Sequence, residues 1–208
     1  MRGKLWAILV AVVGVMLLSI EASSAPAAVG EVLALAGQCS VEAGGTHGLL
    51  AVGDPVHVGD TLDVPAGAKL KLRMEDGSVL SLASGSRITI QAYDVDNAAQ
   101  HRDAKLSLAA GLLRAVVATL SQPSHFEVDT ATGVAAVRGT DWFVLAEPGS
   151  TQVGVLTGSV SLASVATEKT ITIPARWGAR VEAGMDPVPA RVWTPAEFNA
   201  VIERTNLN

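Results

Sequence analysis

The sequence predicts an all-β fold of short strands with a short C-terminal helix. Two observations predict it: apolar and polar residues alternate along most of the chain, and turn-forming residues separate the alternating runs. A period of two places every second side chain on the same face, which is typical of strands with one buried face. This pattern alone leaves a sandwich, a barrel and a β-solenoid open.

The N-terminal segment has the order of an export signal. Arg2 and Lys4 precede an apolar run from Leu5 to Ile20, and a stretch rich in Ala and Ser follows. A basic head, an apolar core and a small-residue tail are typical of secretory signals. We therefore predict a signal peptide over residues 1–27 and a periplasmic or secreted protein.

Side-chain size predicts the cleavage point, because signal peptidase requires small residues just before the cut. Cleavage after Ala27 places Ala25 at the third position before the cut and makes Ala28 the new N-terminus. A cut after Ala25 would place Pro26 directly behind it, where proline blocks cleavage. The alternative is an uncleaved anchor, since the run approaches the roughly 20 residues that span a bilayer. After cleavage no stable membrane span is expected.

Cys39 is the only cysteine, so it cannot form an intramolecular disulfide. It lies far beyond the apolar run, and Gln38 stands where a lipoprotein signal needs a small residue. We expect no lipid anchor there, but a small buried side chain in a strand. Stability in an oxidising compartment must then come from the core.

The first clear alternating run spans Ala68 to Met74. Further runs follow at residues 79–82, 88–90, 126–129, 153–155, 160–162 and 171–173. Asp76 and Gly77 stand between two such runs and predict a tight hairpin, because glycine adopts positive φ without strain. Residues 94–104 are polar and aperiodic, and we interpret them as an exposed loop. The predicted β-domain covers residues 28–185.

The C-terminal extension, residues 186–208, contains a helix signal. Thr194 and Glu197 have the spacing of a capping box, with Pro195 at the first helical position. Phe198 and Val201 then share one face with Ile202. We expect this helix to close one end of the β-structure.

Charge and composition exclude several function classes. The net charge is -5 without clusters of Lys or Arg, so a nucleic-acid binder is not expected. The 4 histidines are scattered and the turn aspartates lack the spacing of a calcium loop, so we expect neither metal nor cofactor. The sequence has no Gly-x-Ser-x-Gly elbow and no phosphate-binding loop, so we do not expect an enzyme.

Three stretches are more specific than generic strands. They are residues 58–82, which contain VGDTL, GAKL and DGSVLSL, residues 135–144, AAVRGTDWFV, and residues 155–162, VLTGSVSL. In this order they resemble the FecR domain, over roughly residues 29–185. Val137-Arg138-Gly139-Thr140 is the most specific part. The resemblance implies a periplasmic sensor domain of stacked short antiparallel strands, β-solenoid-like or sandwich-like, which relays the state of an outer-membrane receptor.

The namesake regulators of this family carry a cytoplasmic anti-sigma domain ahead of a membrane span. Here only Met1 to Lys4 precede the apolar run. We therefore expect no direct contact with a sigma factor. An isolated extracytoplasmic module remains, whose partner is an envelope protein or a small ligand.

Arg138, Thr140 and Asp141 are the candidate residues for ligand or partner binding. The guanidinium offers a rigid fork of donors for a carboxylate, a phosphate or a partner's acidic side chain. The alternative, which we favour, is an internal ion pair of Arg138 with Asp141 or Asp129 that holds a bend. The expected motif turns contain Gly59, Asp60, Asp76, Gly77, Gly139 and Gly158.

Trp142 and Phe143 are expected in the core, with one of the two facing outward because strand side chains alternate. The leading hypothesis for function is a FecR-like binding and signalling module without catalytic activity. A second is a structural protein that docks with peptidoglycan, polysaccharide or a secretion complex, through an exposed patch around Trp177 or Trp193. A third is a carbohydrate-active enzyme with two carboxylates about 5 to 10 Å apart.

Overall fold

The computed structural model describes residues 27–207. The predicted signal peptide lies outside the described residues, apart from Ala27 at its end, and Ala28 is the first residue of β1. The strands and the helix are β1 (Ala28–Ala36), β2 (Ser40–Ala43), β3 (Thr46–Leu49), β4 (Pro55–His57), β5 (Thr61–Val64), β6 (Lys69–Met74), β7 (Val79–Leu82), β8 (Ser86–Asp96), β9 (His101–Val116), β10 (His125–Asp129), β11 (Gly133–Val137), β12 (Asp141–Glu147), β13 (Ser150–Thr157), β14 (Ser159–Ser164), β15 (Thr170–Pro174), β16 (Trp177–Glu182), β17 (Arg191–Val192) and α1 (Pro195–Thr205).

The strands form two hydrogen-bonded layers that share β9. Sheet A has the order β4-β1-β6-β7-β9-β12-β13-β16-β17. Sheet B has the order β3-β2-β5-β8-β9-β10-β11-β14-β15. The inward side chains of both sheets pack into one hydrophobic core. The predicted all-β fold of short strands is confirmed.

Pairing direction distinguishes the architectures that the pattern left open. Among the described ladders β9–β10 is parallel and all the others are antiparallel. The β-solenoid is not found, because most neighbouring strands belong to antiparallel hairpins rather than to parallel coils. Neither sheet closes into a barrel, since β3, β4, β15 and β17 each have one ladder partner in the described chain. The arrangement is sandwich-like.

Gly111 marks the point at which β9 passes from sheet B to sheet A. The strand pairs with β8 up to Ala110 and with β12 from Gly111 onward. Gly111 has φ of 90°, and a Cβ atom there would lie 2.4 Å from the Cα of Ser86. Only glycine combines this left-handed conformation with so close an approach of two backbones. The corner joins the two sheets covalently.

The prediction of an exposed loop over residues 94–104 is wrong. The β8–β9 ladder continues to the pair Asp96 and His101, so only residues 97–100 form the turn. Arg102 and Ala104 are fully buried. A charged residue points into the core here, and this breaks the alternation by which the sequence would otherwise reveal a strand. The hairpin predicted at Asp76 is confirmed, because β6 and β7 pair across it.

Trp142 and Phe143 are both buried, as expected for core residues, and they face opposite sides of sheet A as the alternation predicts, but the outward-facing ring is covered instead of exposed. Trp142 belongs to the main core. Phe143 lies on the opposite face of sheet A, in a second core that includes Trp193 and Phe198. The ring centroids of Phe143 and Trp193 are 5.1 Å apart. Sheet A is therefore apolar on both faces where α1 covers it.

Helix α1 covers the outer face of sheet A rather than an end of the β-structure, which corrects the expected position. Its predicted capping box is present, with Pro195 in the first turn. Lys69 Nζ donates to the carbonyl oxygens of Glu203 and Asn206, both at 2.9 Å. Lys71 Nζ donates to the carbonyl of Leu207 at 2.8 Å. Positive charge at the helix C-terminus is favourable for the helix dipole, so both lysines hold α1 on the sheet.

Two further features complete the fold. Cys39 is buried as predicted, but it precedes β2 instead of lying in a strand. No helix within residues 27–207 has the length and apolar character needed to cross a bilayer.

Acid is expected to loosen the start of α1. Arg191 donates to the carboxylate of Glu197 at 2.6 Å and the N–H of Thr194 donates to it at 2.8 Å. These bonds lower the pKa of Glu197 from 4.5 to about 2. A lowered pKa stabilises the folded state above the unfolded value, and this contribution disappears as the pH falls from 4.5 towards 2. Amide exchange at Glu197 should accelerate in that window, and Glu197→Gln should remove the pH dependence. An identical acid transition in Glu197→Gln would contradict this role.

Candidate functional site

A groove of about 670 Å³ crosses the outer face of sheet B at the ends of β10, β11, β14 and β15. Its floor consists of Ala136, Ser161 and Thr172. They lie side by side because Ala136 pairs with Ser161 and Ser161 pairs with Thr172 on the next strand. These side chains are small, so the surface is low between its rims. The groove residues are His101, Pro123, Ser124, His125, Ala136, Val137, Arg138, Gly139, Thr140, Gly158, Ser159, Ser161 and Thr172.

Arg138 lies on the groove with its side chain exposed. The internal ion pair that we favoured from the sequence is not formed. Asp141 accepts two hydrogen bonds from Arg114, at 2.8 and 3.0 Å, and Asp129 pairs with Lys105 at 2.9 Å. Asp141 and Asp129 are thus both paired with cations on neighbouring strands. Among the described residues the guanidinium of Arg138 has no hydrogen bond or salt bridge.

The other candidate residues divide between the groove and sheet A. Thr140 lines the groove and is buried, and its hydroxyl donates to the carbonyl of Ser159 at 3.2 Å. Asp141 is not part of the groove, because its bond with Arg114 directs it along sheet A. The structure therefore brings Arg138 and Thr140 together and separates Asp141 from them.

Gly139 and Gly158 line the groove beside Arg138 and allow neighbouring segments of the chain to approach closely. A Cβ atom on Gly139 would lie 2.4 Å from Thr119 Oγ1. Gly158 has φ of 85°, and a Cβ atom there would lie 2.8 Å from Thr140 Oγ1. Both glycines are therefore required by space, and Gly158 also by conformation.

Gly59, Asp60 and Gly77, three further motif residues, lie in or next to turns. Gly59 has φ of 94° and Gly77 has φ of 83°. The carboxylate of Asp60 is buried and accepts the N–H of His57 at 2.8 Å. The Asp60 carboxylate thus completes a local turn.

Asp76 and Arg102 form an ion pair beneath the groove, and both side chains have 0% exposure. Arg102 Nη1 donates to Asp76 and also to the carbonyl of Ala118 at 3.2 Å. Its Nη2 donates to the carbonyl of Arg138 at 3.0 Å. The guanidinium also lies 5.5 Å from the ring centroid of Phe126. Sequence reasoning missed Arg102, because it stands in the segment that we interpreted as a loop.

Two more groups hold the carboxylate of Asp76. Ser78 donates through its N–H at 2.9 Å and its hydroxyl at 2.7 Å, and the hydroxyl of Tyr93 donates at 2.9 Å. Burial opposes ionisation, but the bonds from Arg102, Ser78 and Tyr93 outweigh it and hold the pKa of Asp76 below its usual range. Burial and the charge of Asp76 raise the pKa of Tyr93 well above its ordinary value. At neutral pH the carboxylate is therefore ionised and the phenol protonated.

These residues belong to one recognisable family segment. Residues 60–161 match the family model described as FecR protein. This chain carries a FecR domain. The matched range contains the Asp76 hairpin, Arg102, Arg138 and Gly158, so the buried pair and most of the groove belong to the FecR domain. No curated protein matches the sequence.

Solved structures with a similar fold align with a larger part of this chain than the FecR match does. Two crystal structures of a candidate anti-sigma factor from Parabacteroides distasonis ATCC 8503 align with a TM-score of 0.54 each, at 19% and 18% identity. The alignments cover 67% of this chain and 63% and 62% of the other chains. This chain thus spans less than two thirds of their length, and the likeness shows a shared fold.

The groove and the two tryptophans bear differently on the other two function classes. None of the described residues that line it is Asp or Glu, so it does not hold the carboxylate pair of a glycoside hydrolase. Trp193 is 6% exposed and lies in the second core, whereas Trp177 is 36% exposed and pairs across the sheet with Val192, which is 60% exposed.

Proposed function

We propose that this FecR-domain protein is an extracytoplasmic binding and signalling module without catalytic activity. It binds an anionic group of a small ligand or an envelope protein in the groove on sheet B. The unpaired, exposed guanidinium of Arg138 is the observation that carries this proposal. A carboxylate or phosphate matches the planar donor fork of arginine.

The charges around the groove favour Arg138 as the contact for an anion. His125 lies 3.3 Å from Asp103 and 3.4 Å from Glu127, and Lys105 lies 2.8 Å from Glu127. These cationic or titratable groups already face carboxylates within the protein. Arg138 instead projects from a backbone whose carbonyl is held by a buried residue.

The FecR match and the fold shared with candidate anti-sigma factors support a regulatory role with protein partners. The sensing step would take place outside the cytoplasm, and the bound state would be passed on by contact with another envelope protein. Direct contact with a sigma factor is not part of this proposal.

Removing the charge of Arg138 should weaken partner binding and leave the fold intact. Arg138→Ala is expected to change the free energy of unfolding by less than about 0.5 kcal/mol, as at other surface positions. A hydrogen bond to a charged group contributes about 1.5 to 3 kcal/mol, so affinity should fall by roughly one to two orders of magnitude. The measurement is crosslinking in the intact envelope from a photoreactive residue at Ser161, which lies on the groove floor.

Arg87→Ala is the matched control, because Arg87 is an exposed arginine of the same sheet that pairs with Glu42 and Asp63. It should leave the crosslinked product unchanged. A lower melting temperature for Arg138→Ala together with unchanged crosslinking would show that Arg138 is structural.

Export predicts a specific N-terminus. Residues 1–26 lie outside the described structure, and Ala28 is the first residue of β1. N-terminal sequencing of the protein from a periplasmic fraction should begin at Ala28. Recovery of the whole chain from the inner membrane would support the anchor alternative instead.

A further inference from the structure

The buried guanidinium of Arg102 touches three separate parts of the chain. It meets Asp76 in the β6–β7 turn of sheet A, Ala118 after β9, and the carbonyl of Arg138 beside the groove of sheet B. Its own backbone N–H donates to Ser124 Oγ, another groove residue, at 3.1 Å. One side chain thus joins the groove to a turn of the opposite sheet.

Both ends of this link reach the surface. Arg138 and Ser124 line the groove, whereas Gly77 and Glu75 line a second depression of about 480 Å³ at the β6–β7 turn. The two cavities share none of the residues that line them. Arg102 bonds to the carbonyl of Arg138 in the groove, and Asp76 adjoins Gly77 in the second depression.

Burial makes the link stiff. Both charged side chains have 0% exposure, and water is not available to replace a lost hydrogen bond. A shift of the Arg138 carbonyl therefore acts on Arg102, which is bonded in turn to the carboxylate of Asp76. Asp76 in turn holds the N–H of Ser78 at 2.9 Å, so the backbone of the turn responds. Packed interiors transmit such shifts because they contain few voids.

We infer that Arg102 is a positioning residue that couples the groove to the β6–β7 turn, so that an anion on Arg138 changes the surface around Gly77. This inference rests on the proposed function of the groove and names its regulation. The module then has an input face on sheet B and an output face on sheet A.

The two bonds of this link require an arginine side chain, because a positive charge alone does not serve both partners. Two different nitrogens of Arg102 bond to Asp76 and to the Arg138 carbonyl. Lysine would keep the charge beside Asp76, but its single ammonium group lacks the planar fork that serves both partners. Arg102→Lys should therefore keep the ion pair and break the link.

The coupling can be measured by nuclear magnetic resonance on isotope-labelled protein titrated with citrate. The amides of Gly139 and Gly158 report on the groove, and those of Gly77 and Ser78 report on the turn. In the wild-type protein both sets should shift along the same saturation curve. In Arg102→Lys the turn signals should not respond, and the citrate Kd should rise roughly two- to thirtyfold, the range found for residues that carry coupling.

Arg87→Lys is the matched control and should behave like the wild type. Should Arg102→Lys fail to fold, Tyr93→Phe provides a second variant, because it removes one donor to Asp76 and keeps the ring. It should reduce the shifts at Gly77 while the groove signals still saturate.

The outcomes separate the two proposals. Groove signals that shift while the turn signals remain still in the wild type would overturn the coupling and leave the proposed function standing. Equal turn responses in Arg102→Lys and the wild type would do the same. No shift at Gly139 or Gly158 with citrate would overturn the anion-binding function and the coupling with it.

Discussion

Arg102→Met is expected to destabilise the protein by roughly 3–5 kcal/mol, because it leaves the carboxylate of Asp76 buried without its counter-ion. Asp76 has 0% side-chain exposure and cannot recover the lost interaction from water. Its remaining donors, Ser78 and Tyr93, are neutral. The free energy of unfolding should be measured by urea denaturation followed by circular dichroism.

The double variant Arg102→Met/Asp76→Leu tests whether the cost arises from the unpaired charge. Replacing both partners of a buried pair by apolar residues is often nearly neutral. The double variant should therefore be more stable than Arg102→Met alone, although the hydroxyl of Tyr93 loses its acceptor. Arg73→Met is the surface control, since Arg73 and Glu31 are 56% and 44% exposed, and it should cost about 0–1 kcal/mol. If the free-energy changes of Arg102→Met and Asp76→Leu, each measured alone, add up to that of the double variant, the interaction between the two side chains contributes little.

Phe143→Ala is expected to cost about 3–5 kcal/mol and to release α1 from sheet A. Phe143 is 1% exposed and packs against Trp193 and Phe198, with ring centroids 5.1 and 6.3 Å away. Its ring also lies over Gly154, where a Cβ atom would come within 2.3 Å of it. Removing the ring leaves a cavity that the glycine cannot fill. The loss should appear in the urea midpoint and as faster amide exchange throughout α1.

Trp177→Ala is the comparison for Phe143→Ala, because Trp177 is a large aromatic residue of the same sheet that is 36% exposed. It should cost clearly less and should leave amide exchange in α1 unchanged. A protein in which Phe143→Ala lost stability while α1 stayed protected would show that the helix is held by Lys69 and Lys71 instead.

The buried pair connects two distant motifs of this chain. The turn that contains Asp76 belongs to sheet A, whereas Arg138 directly follows β11 of sheet B, and the two residues are far apart in sequence. Arg102 contacts both, at the carboxylate of one and the carbonyl of the other. The motif residues are therefore held by a shared core contact, while the side chain of Arg138 remains available at the surface.

The sequence by itself determined the features that depend on neighbouring residues. The hairpin at Asp76 and Gly77, the alternation from Ala68 to Met74, and the capping box of α1 were all predicted. Each is encoded within a few residues, because turn conformation, strand facing and helix capping are local. The motif order also identified the FecR domain.

Only the tertiary structure decided which distant groups meet. Arg102 and Asp76 are 26 residues apart, and Lys69 and Glu203 are 134 apart. The pattern around Arg102 resembled a loop because its buried partner lay elsewhere in the chain. Arg138 was expected to pair with Asp141 or Asp129. The strand register instead places Asp141 beside Arg114 and Asp129 beside Lys105. Pairing across sheets depends on register and chain reversal, and local patterns do not carry that information.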